Sequence, residues 1–200
     1  MQAAIHHLRG ADPILGAIID QVGEYAIRYR EPNFETLVRS IVYQQLSGRV
    51  AFVILERLLR ACGGEATPER ILKMRPAHMR SLGLSTQKTA YIRDLARLTR
   101  DGTLDFAVLQ NLPDEVVIER LTQVKGVGVW TAHMFLMFAL RRHDVLPVGD
   151  LGIRNAIQRA YALEAPPKPT DIERMGACWR PWSSVACWYL WRSLETEANL

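Results

Sequence analysis

The chain has 200 residues, 48% hydrophobic and 23% charged, which describes a soluble globular protein with length for one large domain or two small lobes. Apolar runs such as residues 134–140 fall far short of the roughly twenty residues that cross a bilayer, which argues against a membrane span. A net charge of +4 and a pI near 9.1 are mildly basic and suit a nucleic-acid partner without demonstrating one.

Taken in chain order, the apolar periodicity is helical. Residues 13–29 set Ile14, Leu15, Ile18, Ile19, Val22 and Tyr25 at three- and four-residue spacing. Residues 34–45 repeat it with Phe34, Leu37, Val38, Ile41 and Val42. A third helix is predicted over about 49–62, stopped by Gly63-Gly64. Thr67-Pro68-Glu69 reads as a cap followed by proline in a first helical turn. Ser85 caps a helix that carries Ala90, Tyr91, Leu95 and Leu98 and ends at Asp101-Gly102. Pro113 opens another that runs to about Leu121, and further helices are expected over 130–140, 150–163 and 181–194. No segment sustains period-two alternation, so the fold class is all-α. The proline-rich stretch 165–170 reads as a stiff surface connection, too short to set a domain boundary.

Between two of these helices lies V-K-G-V-G-V-W, residues 124–130. Glycine reaches positive φ and lets another backbone come close. A helix that starts just after Gly128 points N–H groups without acceptors outward, with the positive end of its dipole behind them. A phosphate suits such a place. Lys125 adds a charge at its edge, and the Thr131 hydroxyl adds a donor. A plain helix–helix corner, with glycine only permitting the turn, reads the two glycines equally well.

The flanks widen the motif. They run L-T-Q-V-K-G-V-G-V-W-T-A-H-M-F-L-M-F, then D-V-L-P-V-G-D-L-G-I-R-N-A-I, with I-V-Y-Q-Q-L-S-G from Ile41, L-G-L-S-T-Q-K-T-A-Y-I from Leu82 and R-P-W-S-S-V-A from Arg180. In these motifs the chain resembles the helix-hairpin-helix (HhH-GPD) DNA glycosylase superfamily, specifically its AlkA-like branch, the 3-methyladenine DNA glycosylases II. The resemblance covers about residues 34–191. It implies a two-lobed helical fold with a DNA and base cleft between lobes of about 35–140 and 1–34 plus 141–200. The β-rich N-terminal domain of larger members has no counterpart in the sequence.

The resemblance also implies roles. Asp150 matches the catalytic aspartate, whose carboxylate stabilises positive charge on the deoxyribose and orients or deprotonates water; read alone, it is an ordinary helix N-cap. Trp130 stands where strand-cutting relatives carry a lysine that forms a Schiff base, which implies a monofunctional enzyme. Its ring offers a stacking face to a flipped, cationic base, or else it packs in the core. Trp182 matches a second tryptophan of the base pocket, with Tyr43 as a weaker pocket residue. Met134 departs from the family, whose best-known members have an aromatic there, and this leaves the substrate range open. Trp179, Trp188 and Trp191 read as packing residues.

Gln45, with Leu46 beside it, aligns with the residue that relatives wedge into the stack; a polar pair at a solvent-facing helix end reads it equally well. Ser85 and Lys88 sit in the family's second DNA-contacting turn. In the family the hairpin can hold a monovalent cation, Na+ or K+, on backbone carbonyls, here those of Thr122, Val124 and Val127. No cofactor is required, and the four-cysteine signature of an iron–sulfur cluster is missing. Cys62, Cys178 and Cys187 have no metal-binding spacing, their odd number argues against a disulfide framework, and the first ten residues lack a secretory pattern. A monomer in the cytoplasm, on the nucleoid through its DNA partner, is the expectation. His133 reads as a packing histidine.

The implied function is hydrolytic excision of alkylated bases from double-stranded DNA, above all 3-methyladenine, with 7-methylguanine, 1-methyladenine and ethenoadenine also in view. A non-catalytic module that binds damaged DNA would keep the hairpin and wedge with no use for Asp150. A bifunctional glycosylase/lyase is argued against by Trp130.

Overall fold

Short polar side chains open many of the helices. Asp12 accepts from the backbone N–H groups of Ile14 and Leu15, Asn33 from Thr36, Thr67 from Arg70, Ser85 from Lys88, Asp105 from Ala107 and Asp150 from Ile153. Each bond satisfies first-turn N–H groups that have no intrahelical acceptor and contributes about 1 kcal/mol. The computed structural model describes residues 1–197, and these are all-helical, with no strand among them. None of the helices is long and apolar enough to cross a membrane.

The chain divides into two compact units. A central unit, residues 30–140, holds α3 (Phe34–Tyr43), α4 (Gly48–Ala61), α5 (Pro68–Lys73), α6 (Pro76–Ser81), α7 (Thr86–Arg100), α8 (Phe106–Leu109), α9 (Asp114–Thr122) and α10 (Val129–Phe138). A terminal unit, residues 1–29 with residue 141 onward, holds α1 (Gln2–Ala11), α2 (Pro13–Val22), α11 (Leu151–Ala160), α12 (Pro169–Gly176), a 3-10 turn (Ala177–Trp179) and α13 (Ser183–Glu197).

In the central unit α7 is the spine, packed by α3, α5 and α6, while α4 lies on α3 and α9 on α10. Leu37, Val38, Ile41 and Val42 of α3 are fully buried, as are Ile92, Leu95 and Ala96 of α7. Full burial of a side chain the size of valine or leucine stabilises by roughly 1.5–3 kcal/mol, so these stripes outweigh any cap. In the terminal unit α13 packs on α2 and α11, and it is buried all round from Val185 to Leu190.

Several expectations are corrected. The helix expected over 13–29 stops at Val22, because Gly23 leaves helical geometry at φ +84°. Beyond it Tyr25, Ile27 and Tyr29 are half-buried while Glu24, Ala26 and Arg28 are exposed, a short period-two pattern. The helix expected to reach Gln45 ends at Tyr43, with Gln44 non-helical and Gln45 in the left-handed region at φ +55°. The polar pair therefore lies past the helix end rather than inside it. The helix expected to reach Leu163 stops at Ala160, two residues before Ala162 turns to φ +51°. The helices α1, α6, α8 and α12 were not anticipated; α6 and α8 have six and four residues, too few to show periodicity.

Candidate active site and DNA-binding elements

The hairpin is the turn between α9 and α10. The Val127 N–H closes it on the Val124 carbonyl at 3.0 Å, and Gly126 takes φ +80°. Gly126 also has no room for a side chain, since a Cβ there would lie 2.1 Å from the Tyr91 ring. Gly128 needs no such freedom: it is extended, at φ −96°, and serves as the N-cap of α10. The two glycines thus do different things, one making the turn and the other opening the helix.

Side chains from α7 and from Gln44, just past the end of α3, hold this turn. The Gln44 amide donates to the Gly126 carbonyl at 2.8 Å, and Asp94 accepts from the Lys125 N–H at 3.0 Å. Lys88 donates to the carbonyls of Val42 and Gln44 at 2.7 and 2.6 Å, which ties α7 to the end of α3. Lys88 was expected at DNA; its ammonium instead reaches back to backbone carbonyls that α3 leaves without partners, and burial lowers its pKa. Ser85 caps α7 as expected, at 3.1 Å from the Lys88 N–H. Asp94 was not singled out in the sequence, Tyr91 was read only as part of the apolar stripe of its helix, and Gln44 only as a member of the polar pair. The signal was there for two of them, because 88, 91 and 94 recur every three residues along one helix face.

Beyond this clamp the chain tip is open. Gln45 is exposed, and Leu46 is 38% exposed, unusual for leucine. Both side chains are exposed, as a wedge requires, and the exposure does not distinguish them.

Beside the hairpin the central unit contains a cavity of about 860 Å³. Trp130, Tyr43 and Met134 all line it, together with Arg39, Thr131 and Phe138. Trp130 is 49% exposed, so the core-packing reading of that residue fails. It sits in the first turn of α10, while Phe135, Leu136 and Met137 lower on the same helix are buried. Thr131 is buried at 5% exposure and lines the cavity. The Arg39 guanidinium lies over the Tyr43 ring at 4.1 Å. Of the carbonyls expected to hold a cation, that of Val124 accepts one N–H and retains a second lone pair.

Asp150 belongs to the terminal unit, where it is buried at 7% exposure. Its Oδ1 accepts the Ile153 N–H at 2.8 Å, so it is the N-cap of α11, and also the Trp191 indole N–H at 2.8 Å. Trp191 was read as a packing residue paired with Trp188, and that is corrected: Trp188 packs edge-on to Tyr25 at 4.8 Å, whereas Trp191 orients the aspartate. Gly152 permits this, because a Cβ there would come 2.9 Å from the Trp191 ring and 3.0 Å from Asp150 Oδ1. Trp179 is fully buried and donates to Asp12, the packing role expected of it. Trp182 stands just before α13 in the terminal unit, half-buried, its ring 5.3 Å from that of His143.

A family model described as the HhH-GPD superfamily of base excision DNA repair proteins matches residues 38–183. The chain belongs to that superfamily. Among solved structures it is similar to the Schizosaccharomyces pombe 3-methyladenine DNA glycosylase in complex with abasic DNA, at 34% identity and a TM-score of 0.86, covering 96% of this chain and 97% of that one. It is also similar to the DNA-3-methyladenine glycosidase of Bacillus halodurans, at 36% identity and a TM-score of 0.87, covering 98% and 91%. The Bacillus subtilis protein YfjP is 32% identical over 169 residues, which are 81% of this chain and 59% of that protein. The chain therefore spans well under two thirds of that relative's length. Both the hairpin and Asp150 fall within the stretch matched to the HhH-GPD superfamily.

Proposed function

We propose that this chain is a monofunctional DNA glycosylase that hydrolyses the N-glycosyl bond of alkylated bases in double-stranded DNA, 3-methyladenine first among them. The observation that carries the reading is Trp130, a half-exposed indole lining a cavity with ample room for a base, at the position where a strand-cutting relative would present an amine. The names of the two similar solved structures support the alkyladenine substrate.

In this reading the hairpin N–H groups and the first turns of α7 and α10 take DNA phosphates, and Gln45 or Leu46 fills the gap left by the extruded base. The base enters against Trp130. The glycosidic electron pair leaves with the base. The Asp150 carboxylate, held in one orientation by Trp191 and the Ile153 N–H, faces the positive charge that grows on the sugar and directs water to C1′. N-alkylation has already made the bond labile, so one carboxylate and a permissive pocket suffice. A monovalent cation on the Thr122, Val124 and Val127 carbonyls would stiffen the hairpin. The working form is read as a monomer on duplex DNA, in the cytoplasm and with no further cofactor.

The test is release of free base from methylated duplex DNA by wild type and Asp150→Asn. Wild type should release 3-methyladenine, and the strand should break only after alkali. The variant should lose roughly a hundred- to ten-thousand-fold in rate while still binding DNA. Binding by wild type without release would make the chain a damage-binding module. Strand cutting without alkali would make it a lyase.

A further inference from the structure

The cavity beside the hairpin carries more positive charge than stacking alone would call for. Arg30 and Arg39 both line it, and no Asp or Glu is among its lining residues. Neither guanidinium has a carboxylate within ion-pair distance among the described residues, although many other arginines of the chain do. Arg39 is half-buried on the Tyr43 ring, while Arg30 is exposed, and partial burial together with the Arg39 charge lowers the Arg30 pKa. Lys88, also on the wall, is bonded only to carbonyls. Guanidinium groups without carboxylate partners, gathered around a half-open aromatic pocket, suit a ligand that carries, or acquires, negative charge.

We infer that Arg39, supported by Arg30, is a leaving-group and specificity residue whose charge raises kcat/KM for neutral damaged bases and leaves that for cationic ones nearly unchanged. This rests on the cavity being the base pocket of the proposed glycosylase. When the C1′–N bond breaks, its electron pair stays on the base, water supplies oxygen to C1′, and a proton is released from that water. The base thus becomes one unit more negative. An N7- or N3-alkylpurine goes from cation to neutral; a neutral lesion such as ethenoadenine goes from neutral to anion and is then protonated by solvent. Fixed positive charge lowers the barrier from the bound state for both, by the same electrostatic increment. Binding separates them. The cationic base is repelled on entry and relieved of that repulsion as it departs, which raises kcat and KM together and leaves kcat/KM nearly unchanged. The neutral base enters without that penalty, so the whole gain appears in kcat/KM.

The experiment measures excision at a range of enzyme concentrations on duplexes carrying 7-methylguanine or 1,N6-ethenoadenine, for wild type, Arg39→Gln and Arg39→Lys. The inference expects Arg39→Gln to lose roughly tenfold in kcat/KM on ethenoadenine, a modest figure because the site is partly solvated. On 7-methylguanine it expects kcat and KM to fall together with their ratio held within about threefold. Arg39→Lys keeps the charge and should keep kcat/KM on ethenoadenine, with all three proteins melting alike. Equal losses on both lesions, accompanied by weaker binding of undamaged duplex, would overturn the inference and assign Arg39 to a phosphate. No effect on either lesion would overturn it too, as would wild type that releases 7-methylguanine and leaves ethenoadenine untouched. Wild type that binds DNA and releases neither base would instead overturn the glycosylase reading itself, and the inference with it.

Discussion

Gly126 carries two constraints at once, and they can be separated. Its φ of +80° is strained for any L side chain, and the Tyr91 ring occupies the place a Cβ would take. Gly126→Ala should destabilise by several kcal/mol, about 1 from the backbone region and the rest from the displaced ring. In a Tyr91→Ala background the same substitution should cost only the backbone share, and urea titrations of the four proteins measure the coupling. Equal costs in both backgrounds would show that the ring simply moves aside. At this scale the sequence was legible where chemistry is local. The N-cap reading of Asp150 is met by its bond from the Ile153 N–H. Trp191 was missed, because its partner lies 41 residues away and nothing in W-Y-L-W distinguishes an indole that packs from one that donates. Gly152 was missed for the same reason, since its value lies only in what approaches it.

Helices α3 and α7 show what periodicity can and cannot report. Their apolar stripes were read correctly, since the pattern that signals them is also what buries them. α7 was also bounded correctly, by Ser85 and Asp101, whereas the C-terminal end of α3 was set too late: Gln44 leaves the helix, its amide on the Gly126 carbonyl and its own carbonyl on Lys88, far along the chain. The contact of α7 with the hairpin runs through Asp94, and that is the residue on which to test it. Burial raises its carboxyl pKa, but the Lys125 N–H and the Arg97 guanidinium outweigh this and hold it below the usual range. A lowered carboxylate stabilises above its ordinary value of 3.8 and loses that contribution as pH falls through the folded value. At neutral pH, Asp94→Ala should cost about 1–3 kcal/mol, by leaving the Lys125 N–H without its acceptor, and weaken binding of damaged and intact duplex alike. Arg97→Ala removes only a surface ion pair and should cost less than about 1 kcal/mol. Denaturation and fluorescence anisotropy on both variants decide it: comparable losses would mean that the hairpin contact is not what Asp94 contributes.

Across the whole molecule, the titrating groups that folding perturbs define a pH window. Burial lowers the His133 pKa, with Asp114 opposing, so the unfolded chain takes up a proton near the ordinary value of 6.5 before the folded chain does. Stability from this group is full above that value and falls as pH drops from 6.5 toward the folded pKa; Asp94 adds its loss only below about 3.8. On the alkaline side the signs reverse. Burial pushes the Cys187 thiol and the Tyr25 and Tyr161 hydroxyls well up, so they stay protonated in the fold while the unfolded chain ionises near 9.0 and 10.0. Their contribution is full below those values and declines above them. Thermal unfolding followed by circular dichroism should therefore give a Tm plateau between about pH 6.5 and 9, with a decline on each side. His133→Gln, neutral at every pH, should flatten the decline between pH 6.5 and 5 while leaving the alkaline limb and the further loss below pH 4 in place. A variant whose Tm runs parallel to wild type through pH 5–7 would assign the acid limb to other groups. Because His133 is on α10, two residues after the Thr131 that lines the cavity, its protonation would loosen the helix that carries Trp130. Excision should then decline along the same acid limb in wild type and hold longer in His133→Gln.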